Sequence, residues 1–262
     1  MNRKRYVALS FDVDGETLWT ARDAANWNRP VTLSQGVYGP KVGLPRILAL
    51  LNKYSIPATF FVPGYIIETY RDSIQEIVKA GHEIGHHGYL HEWPDTLTPD
   101  EERETFRLGI ERIRSVTGKD PAGYRSPAWE FSAKTMDFLL EFGFLYSSNM
   151  MDNDEPYVHI NGVIELPVQW YLDDAPFFLY SVRLPGRTMQ SASAVLETWQ
   201  SEFSALYEEG KSMVLTLHPQ VIGRAYRVKM LESFIQFVLG HSDTEFVTCE
   251  QLAYITLNRD NH

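Results

Sequence analysis

The chain of 262 residues holds one cysteine, Cys249, so no intrachain disulfide can form and nothing in its thiol content points to an oxidising compartment. No apolar run approaches the ~20 residues a bilayer span requires. Basic residues are scarce: 24 Lys and Arg stand against 34 Asp and Glu, and the formal net charge of −10 argues against a polyanionic partner such as nucleic acid, which needs a clustered cationic footprint. Internal repeats and low-complexity linkers are also lacking. The basic start, Met1-Asn2-Arg3-Lys4-Arg5, runs directly into an apolar strand, which leaves no stretch for a cleavable leader. These absences predict a soluble, cytoplasmic protein with neither a membrane nor a nucleic-acid partner.

What is present is a large apolar complement, 44% of the residues, enough for one α/β domain covering 1–262. Aromatic residues make up 13%, which fills a core and leaves some to stack on sugar or planar rings. Residues 6–11 read as a buried strand that stops at Asp12-Val13-Asp14-Gly15. Residues 17–40 show no clear period and are expected to form a flap, with Trp19 and Trp27 as lid material. Helix patterns follow at 44–54, at 72–80 before Gly81, and from the capping box Thr98-Pro99-Asp100-Glu101 to Thr117. Another is expected from Ser132 to Gly143, and later ones at 192–209, 227–239 and 249–257. Strand patterns appear at 57–64, 122–129, 163–168, 177–182, 213–217 and 245–247, with a polar bend at 172–176. Alternating strands and helices predict a parallel sheet closing into a single distorted (β/α) barrel, its middle irregular.

Polar clusters follow several of the apolar runs. Asp12 and Asp14 lie just past a strand, where ligands meet a parallel sheet, although Asp-x-Asp-Gly is also ordinary turn composition. His87-Gly88-Tyr89-Leu90-His91 sets two imidazoles four residues apart, a spacing that suits a metal pair. His82 and His86 share that spacing, but His82 follows a helix-ending glycine and reads as a surface residue, so His87 and His91 are favoured and His86 stays unassigned. Either Asp12 or Asp14 can complete the ligand set, and the other is then free to act as general base. Two histidines and one aspartate suit zinc first, and accommodate manganese, cobalt, nickel or iron. His218, ending the strand at 213–217, is a candidate general acid for a leaving amine, or else a histidine satisfied within its His-Pro turn. Arg125 can pair with the base aspartate, or form an ordinary surface ion pair.

In order, Phe11-Asp12-Val13-Asp14-Gly15, His87-Gly88-Tyr89-Leu90-His91, Arg125-Ser126-Pro127-Ala128-Trp129-Glu130 and Leu217-His218-Pro219 resemble the NodB-like polysaccharide deacetylase family, also called carbohydrate esterase family 4. Gly81-His82-Glu83-Ile84-Gly85, Trp129-Glu130-Phe131-Ser132 and Trp170-Tyr171-Leu172-Asp173-Asp174 look like its branch of atypical peptidoglycan-deacetylase-like proteins and cyclic imidases. The resemblance implies a distorted (β/α) barrel in which Asp12 is the catalytic base and Asp14, His87 and His91 hold one divalent metal. It further implies that Arg125 orients the base and His218 is the general acid. The family's aspartates are usually adjacent, whereas Val13 separates them here, as in the branch. Arg125 is often missing from that branch and favours sugar deacetylation; the absent export signal favours a substrate inside the cell. The expected activity is metal-dependent hydrolysis of a non-peptide C–N bond, first as N-deacetylation of an N-acetylated sugar or polysaccharide. The alternatives are a cyclic imide or ureide hydrolase using the same site and a non-catalytic sugar- or ring-binding protein. The branch also suggests a homo-oligomer, with no interface legible in the sequence.

Overall fold

The computed structural model describes residues 4–181, 186 and 188–260. Its centre is β1, Arg5–Asp12, a strand buried from Val7 onward, as expected where a parallel sheet is covered on both faces. β1 pairs in parallel with three strands: with β2 (Thr59–Val62) through Ser10–Asp12, with β8 (Met213–Leu217) through Val7–Phe11, and with β9 (Thr244–Val247) through Arg5–Ala8. β3 (Glu83–His86) adds to β2, then β4 (Gly123–Tyr124), β5 (Tyr146–Ser147) and β7 (Ile164–Glu165), with the short antiparallel β6 (Tyr157–Val158) on the edge. Beyond β7 the chain crosses back to β8 through one isolated bridge, Asp173 to Thr216. The curled sheet, with this bridge at its far side, is the expected distorted barrel, open among the described residues between β7 and β8 except at that contact.

Alternate residues of each strand face opposite sides. Val7, Leu9, Phe11, Phe60, Leu215 and Leu217 pack into the larger core beneath the surrounding helices. Ala8, Phe61, Val214 and Tyr146 face inward and meet Cys249, Leu252 and Ala253 of the C-terminal helix Cys249–Asp260, which plugs one end of the barrel. The other end collects the polar clusters, because the strand registers align their C-terminal ends: Asp12 pairs Phe61, Val62 pairs His86, His86 pairs Tyr124 and Phe11 pairs Leu217. Among the described residues no helix is long and apolar enough to cross a membrane.

Several local expectations need correction. Residues 17–40 are helical, not a loop: Thr17–Thr20, a 3-10 turn Ala24–Asn28 and Pro30–Tyr38 follow one another. Asp23 caps the turn through Ala25 N at 2.9 Å, and Pro30 opens the next helix at its first position. Apolar periodicity is missing because this helix packs through glycine: a Cβ at Gly36 would lie 2.5 Å from the Gly15 carbonyl oxygen. The strand expected at 177–182 begins instead as the helix Ala175–Phe178, since Asp173 Oδ1 accepts from Ala175 N at 2.7 Å and Pro176 sits in the first turn. Residues 182–185 lie outside the described part. The strand expected at 163–168 pairs regularly only over Ile164–Glu165, ahead of Pro167. The helix expected from Ser132 starts at Thr135, with Ser132 Oγ accepting from Lys134 N at 2.9 Å. The capping box at Thr98 and the helix Ala192–Glu209 stand as expected.

Candidate active site

Asp12 is the last residue of β1, and Asp14 follows in the turn, where its carbonyl accepts from Thr17 N at 3.0 Å. Both are buried. His87 follows β3, Arg125 follows β4 and His218 follows β8, so four strand ends deliver the candidate groups to one mouth. His91 comes from the loop beyond His87 and adopts a left-handed backbone, φ 62°, as do Ala128 and Trp129 nearby in the rim. Non-glycine residues in that region cost about 1–3 kcal/mol each and concentrate where function holds them.

Asp14 Oδ1 lies 3.3 Å from His87 Nε2 and 3.8 Å from His91 Nε2, and among the described residues no hydrogen-bond donor reaches it. One donor atom from each of the three residues fits within 4.8 Å of the others, an arrangement that can hold a metal ion. Asp14 and His91 are held in the form a ligand needs, whereas at His87 burial opposes the charged ring but Asp12 and Asp14 outweigh it and raise its pKa. Burial works against the Asp14 carboxylate, but His91, His87 and His218 outweigh it and bring its pKa down to about 2. Burial lowers the pKa of His91 to about 4, leaving a neutral ring at neutral pH. His87 Nδ1 is 2.7 Å from the Arg125 carbonyl, a contact that places the proton on Nδ1 and turns the Nε2 lone pair toward Asp14.

Arg125 is fully buried and is no surface ion pair. Its Nη1 donates to Asp12 Oδ1 at 2.8 Å and Ser10 Oγ at 2.9 Å, its Nη2 donates to Ser148 Oγ at 2.8 Å, and its guanidinium sits 4.3 Å from the centre of the Phe61 ring. Asp12 therefore has Oδ1 fixed, while Oδ2 lies 3.9 Å from both His87 Nε2 and His218 Nε2. His218 is oriented from behind. Its Nδ1 donates to Asp174 Oδ1 at 2.7 Å, Asp173 Oδ1 is 3.5 Å away, and the His218 backbone N–H donates to Asp174 Oδ2 at 3.1 Å. Burial opposes the charged imidazole, but Asp173 and Asp174 outweigh it and raise the pKa of His218 well above the usual histidine value. Asp173, Asp174 and His218 also form a second set of closely spaced donors, but the 2.7 Å contact to Nδ1 is that of an Asp–His pair.

A cavity of about 120 Å³ opens onto Asp12, His87, His91 and His218. Its walls include Leu18, Trp93, Trp129 and Trp170, the last two stacked with ring centres 4.2 Å apart. Leu18 and Arg22 are the parts of the 17–40 segment that line it; Trp19 and Trp27, expected as lid residues, do not. His86 is structural, buried against the Phe106 ring at 5.2 Å with Nε2 3.2 Å from the Phe106 carbonyl, and burial lowers its pKa to about 3. His82 is half-buried rather than a surface residue, with its ring 5.4 Å from that of Phe60. Sequence reasoning gave no role to Asp173, Asp174, Ser10, Ser148 or Gln220. The bend at 172–176 carried a signal for the first two, as consecutive carboxylates in an apolar surrounding, but nothing local tied them to His218.

The polysaccharide deacetylase family model matches residues 37–147, a span that includes His87, His91 and Arg125. A peptidoglycan deacetylase of Helicobacter pylori is 33% identical over 99% of this chain and 99% of its own length. The crystal structure of a Mycobacterium smegmatis protein assigned as a polysaccharide deacetylase superimposes with a TM-score of 0.94 at 39% identity, covering 99% of this chain and 92% of that one. The Puue allantoinase structure, at 23% identity and a TM-score of 0.85 over 97% of this chain and 90% of its own, shares the fold. With a relative this similar over the full length of both chains, the protein belongs to the polysaccharide deacetylase family.

Proposed function

We propose that this protein, as one catalytic domain over 1–262, hydrolyses a non-peptide C–N bond by removing the acetyl group from an N-acetylated sugar. The observation that supports it most is the convergence of an arginine-paired carboxylate and an aspartate-backed histidine, Asp12 Oδ2 and His218 Nε2, 3.9 Å apart beside the Asp14, His87 and His91 set. We assign Asp14, His87 and His91 as ligands of one divalent ion, zinc first, with manganese, cobalt, nickel and iron also fitting the donors. Bound there, such an ion would polarise the amide carbonyl and lower the pKa of water toward neutrality. Asp12 would take the proton from the attacking water through Oδ2, with Arg125 fixing its other oxygen. His218, protonated on Nε2 and anchored through Nδ1, gives a proton to the departing nitrogen as the C–N bond breaks. The products are a carboxylate and an amine. Retention in the cytoplasm and self-association belong to the same reading.

One observation favours a second substrate class. The cavity of about 120 Å³ with its Trp129–Trp170 wall is small, and its size and aromatic wall suit a small cyclic imide or ureide opened by the same groups. A two-panel assay on zinc- or cobalt-loaded protein separates them: acetate release from N-acetylated chito-oligosaccharides, and ring opening of succinimide and hydantoin by absorbance. Chelator-sensitive acetate release lost in Asp12→Asn supports deacetylation; ring opening without acetate moves the protein to the cyclic substrates. Full metal occupancy with turnover of neither class would refute the enzymatic reading.

A further inference from the structure

We infer that Gln220 is a positioning residue for the metal centre: its amide occupies one oxygen of Asp14 and so leaves the other as the single coordinating atom. This rests on the assignment of Asp14, His87 and His91 as metal ligands. Gln220 is buried, two residues beyond His218, in the short helix Pro219–Ile222. Its Nε2 donates to Asp14 Oδ2 at 3.2 Å. The opposite oxygen, Oδ1, is the one that lacks a donor and faces His87 and His91. A carboxylate free at both oxygens can swing and chelate through both; with Oδ2 held by an amide hydrogen bond, only Oδ1 has lone pairs directed at the histidines.

The seat for Gln220 is built by the end of the segment expected to form a flap and the residues just after it. Residues 30–43 pack backbone to backbone on the Pro219–Ile222 helix. A Cβ at Gly43 would lie 2.1 Å from the Pro219 carbonyl oxygen. One at Gly39 would lie 3.1 Å from both the backbone nitrogen and Oε1 of Gln220. Oε1 itself is buried with no partner among the described residues, so the amide has given up one of its hydrogen-bonding groups to place the other on Asp14. Leaving a buried acceptor unpaired is a penalty that a residue serving the fold alone would not need. The aperiodic helices of 30–43 thus buttress the metal site from outside the cavity.

The test is zinc affinity by competition with a chromogenic chelator, on wild type and on Gln220→Met, which keeps the side-chain length and removes the donor. Melting of the metal-free proteins is followed in parallel. The expected result is a 10- to 100-fold loss of affinity, typical of outer-shell partners, with metal-free melting unchanged or raised. The cobalt-loaded variant should also show weaker visible bands as Asp14 takes up coordination through both oxygens. Affinity within twofold of wild type in folded Gln220→Met overturns the inference. Should Gln220→Met not fold, Gly39→Ala decides: it keeps the amide but crowds it, and a zinc affinity equal to wild type refutes the seat. Wild type that binds no zinc removable by His87→Ala overturns the ligand assignment, and this inference with it, whereas an unaffected Gln220→Met overturns this inference alone.

Discussion

Replacing Arg125 by methionine tests the centre of the site. In the variant Asp12 stays buried with its Oδ1 stripped of the 2.8 Å contact from the guanidinium, and Ser10 Oγ and Ser148 Oγ lose their donors. Removing one partner of a buried ion pair costs about 3–5 kcal/mol, chiefly the uncompensated charge left behind. The lost contact with Phe61 falls within that range, since terms sharing one network do not add. For a chain of this length each kcal/mol lowers the melting midpoint by roughly 2 °C, so the fall should be about 6–10 °C. The assay is thermal and urea denaturation of the metal-free protein as a double-mutant cycle with Asp12→Asn. Because an asparagine at position 12 leaves no buried charge behind, the double variant should lose less than the sum of the singles, with a coupling of about 1–3 kcal/mol. Arg125→Lys keeps the charge without the planar fork and should fall between wild type and methionine. A loss under about 1 kcal/mol for Arg125→Met, or strict additivity in the cycle, would refute the idea that this pair is what holds Asp12 in place.

Asp14→Ala, His87→Ala and His91→Ala should each lose bound metal and turnover together by metal analysis and assay; an Asp14→Ala protein still fully loaded would return the ligand role to Asp12. Asp174→Asn removes the carboxylate that fixes His218 through Nδ1, and kcat should drop by about 10²-fold or more with KM little changed. Unaltered kcat would take His218 out of the proton transfer. Burial raises the pKa of the Cys249 thiol to about 12, so the native protein should be inert to a chromogenic disulfide reagent and release one equivalent in urea. Fast labelling of the native state would contradict the plugged end of the barrel.

The sequence by itself determined those features in which one local stretch carries both the structure and its signal. An apolar run ending in Asp12 and Asp14 must put its charges past the strand end, the Thr98 capping box must start a helix, and His87 and His91 share one short loop. Parallel registers then do the rest, because strands of similar length aligned in one sheet bring their following residues to one edge. Composition and spacing alone left open which aspartate faces the histidines; the resemblance implied Asp14, and the tertiary structure gives the physical difference, with Arg125 reaching Asp12 and Gln220 reaching Asp14. It also brought Asp174 behind His218 through the Asp173–Thr216 bridge, and packed residues 30–43 through Gly36, Gly39 and Gly43. Periodicity records which side chains a local element buries; a contact made by glycine backbone, or by one bridge between distant segments, leaves no period to read.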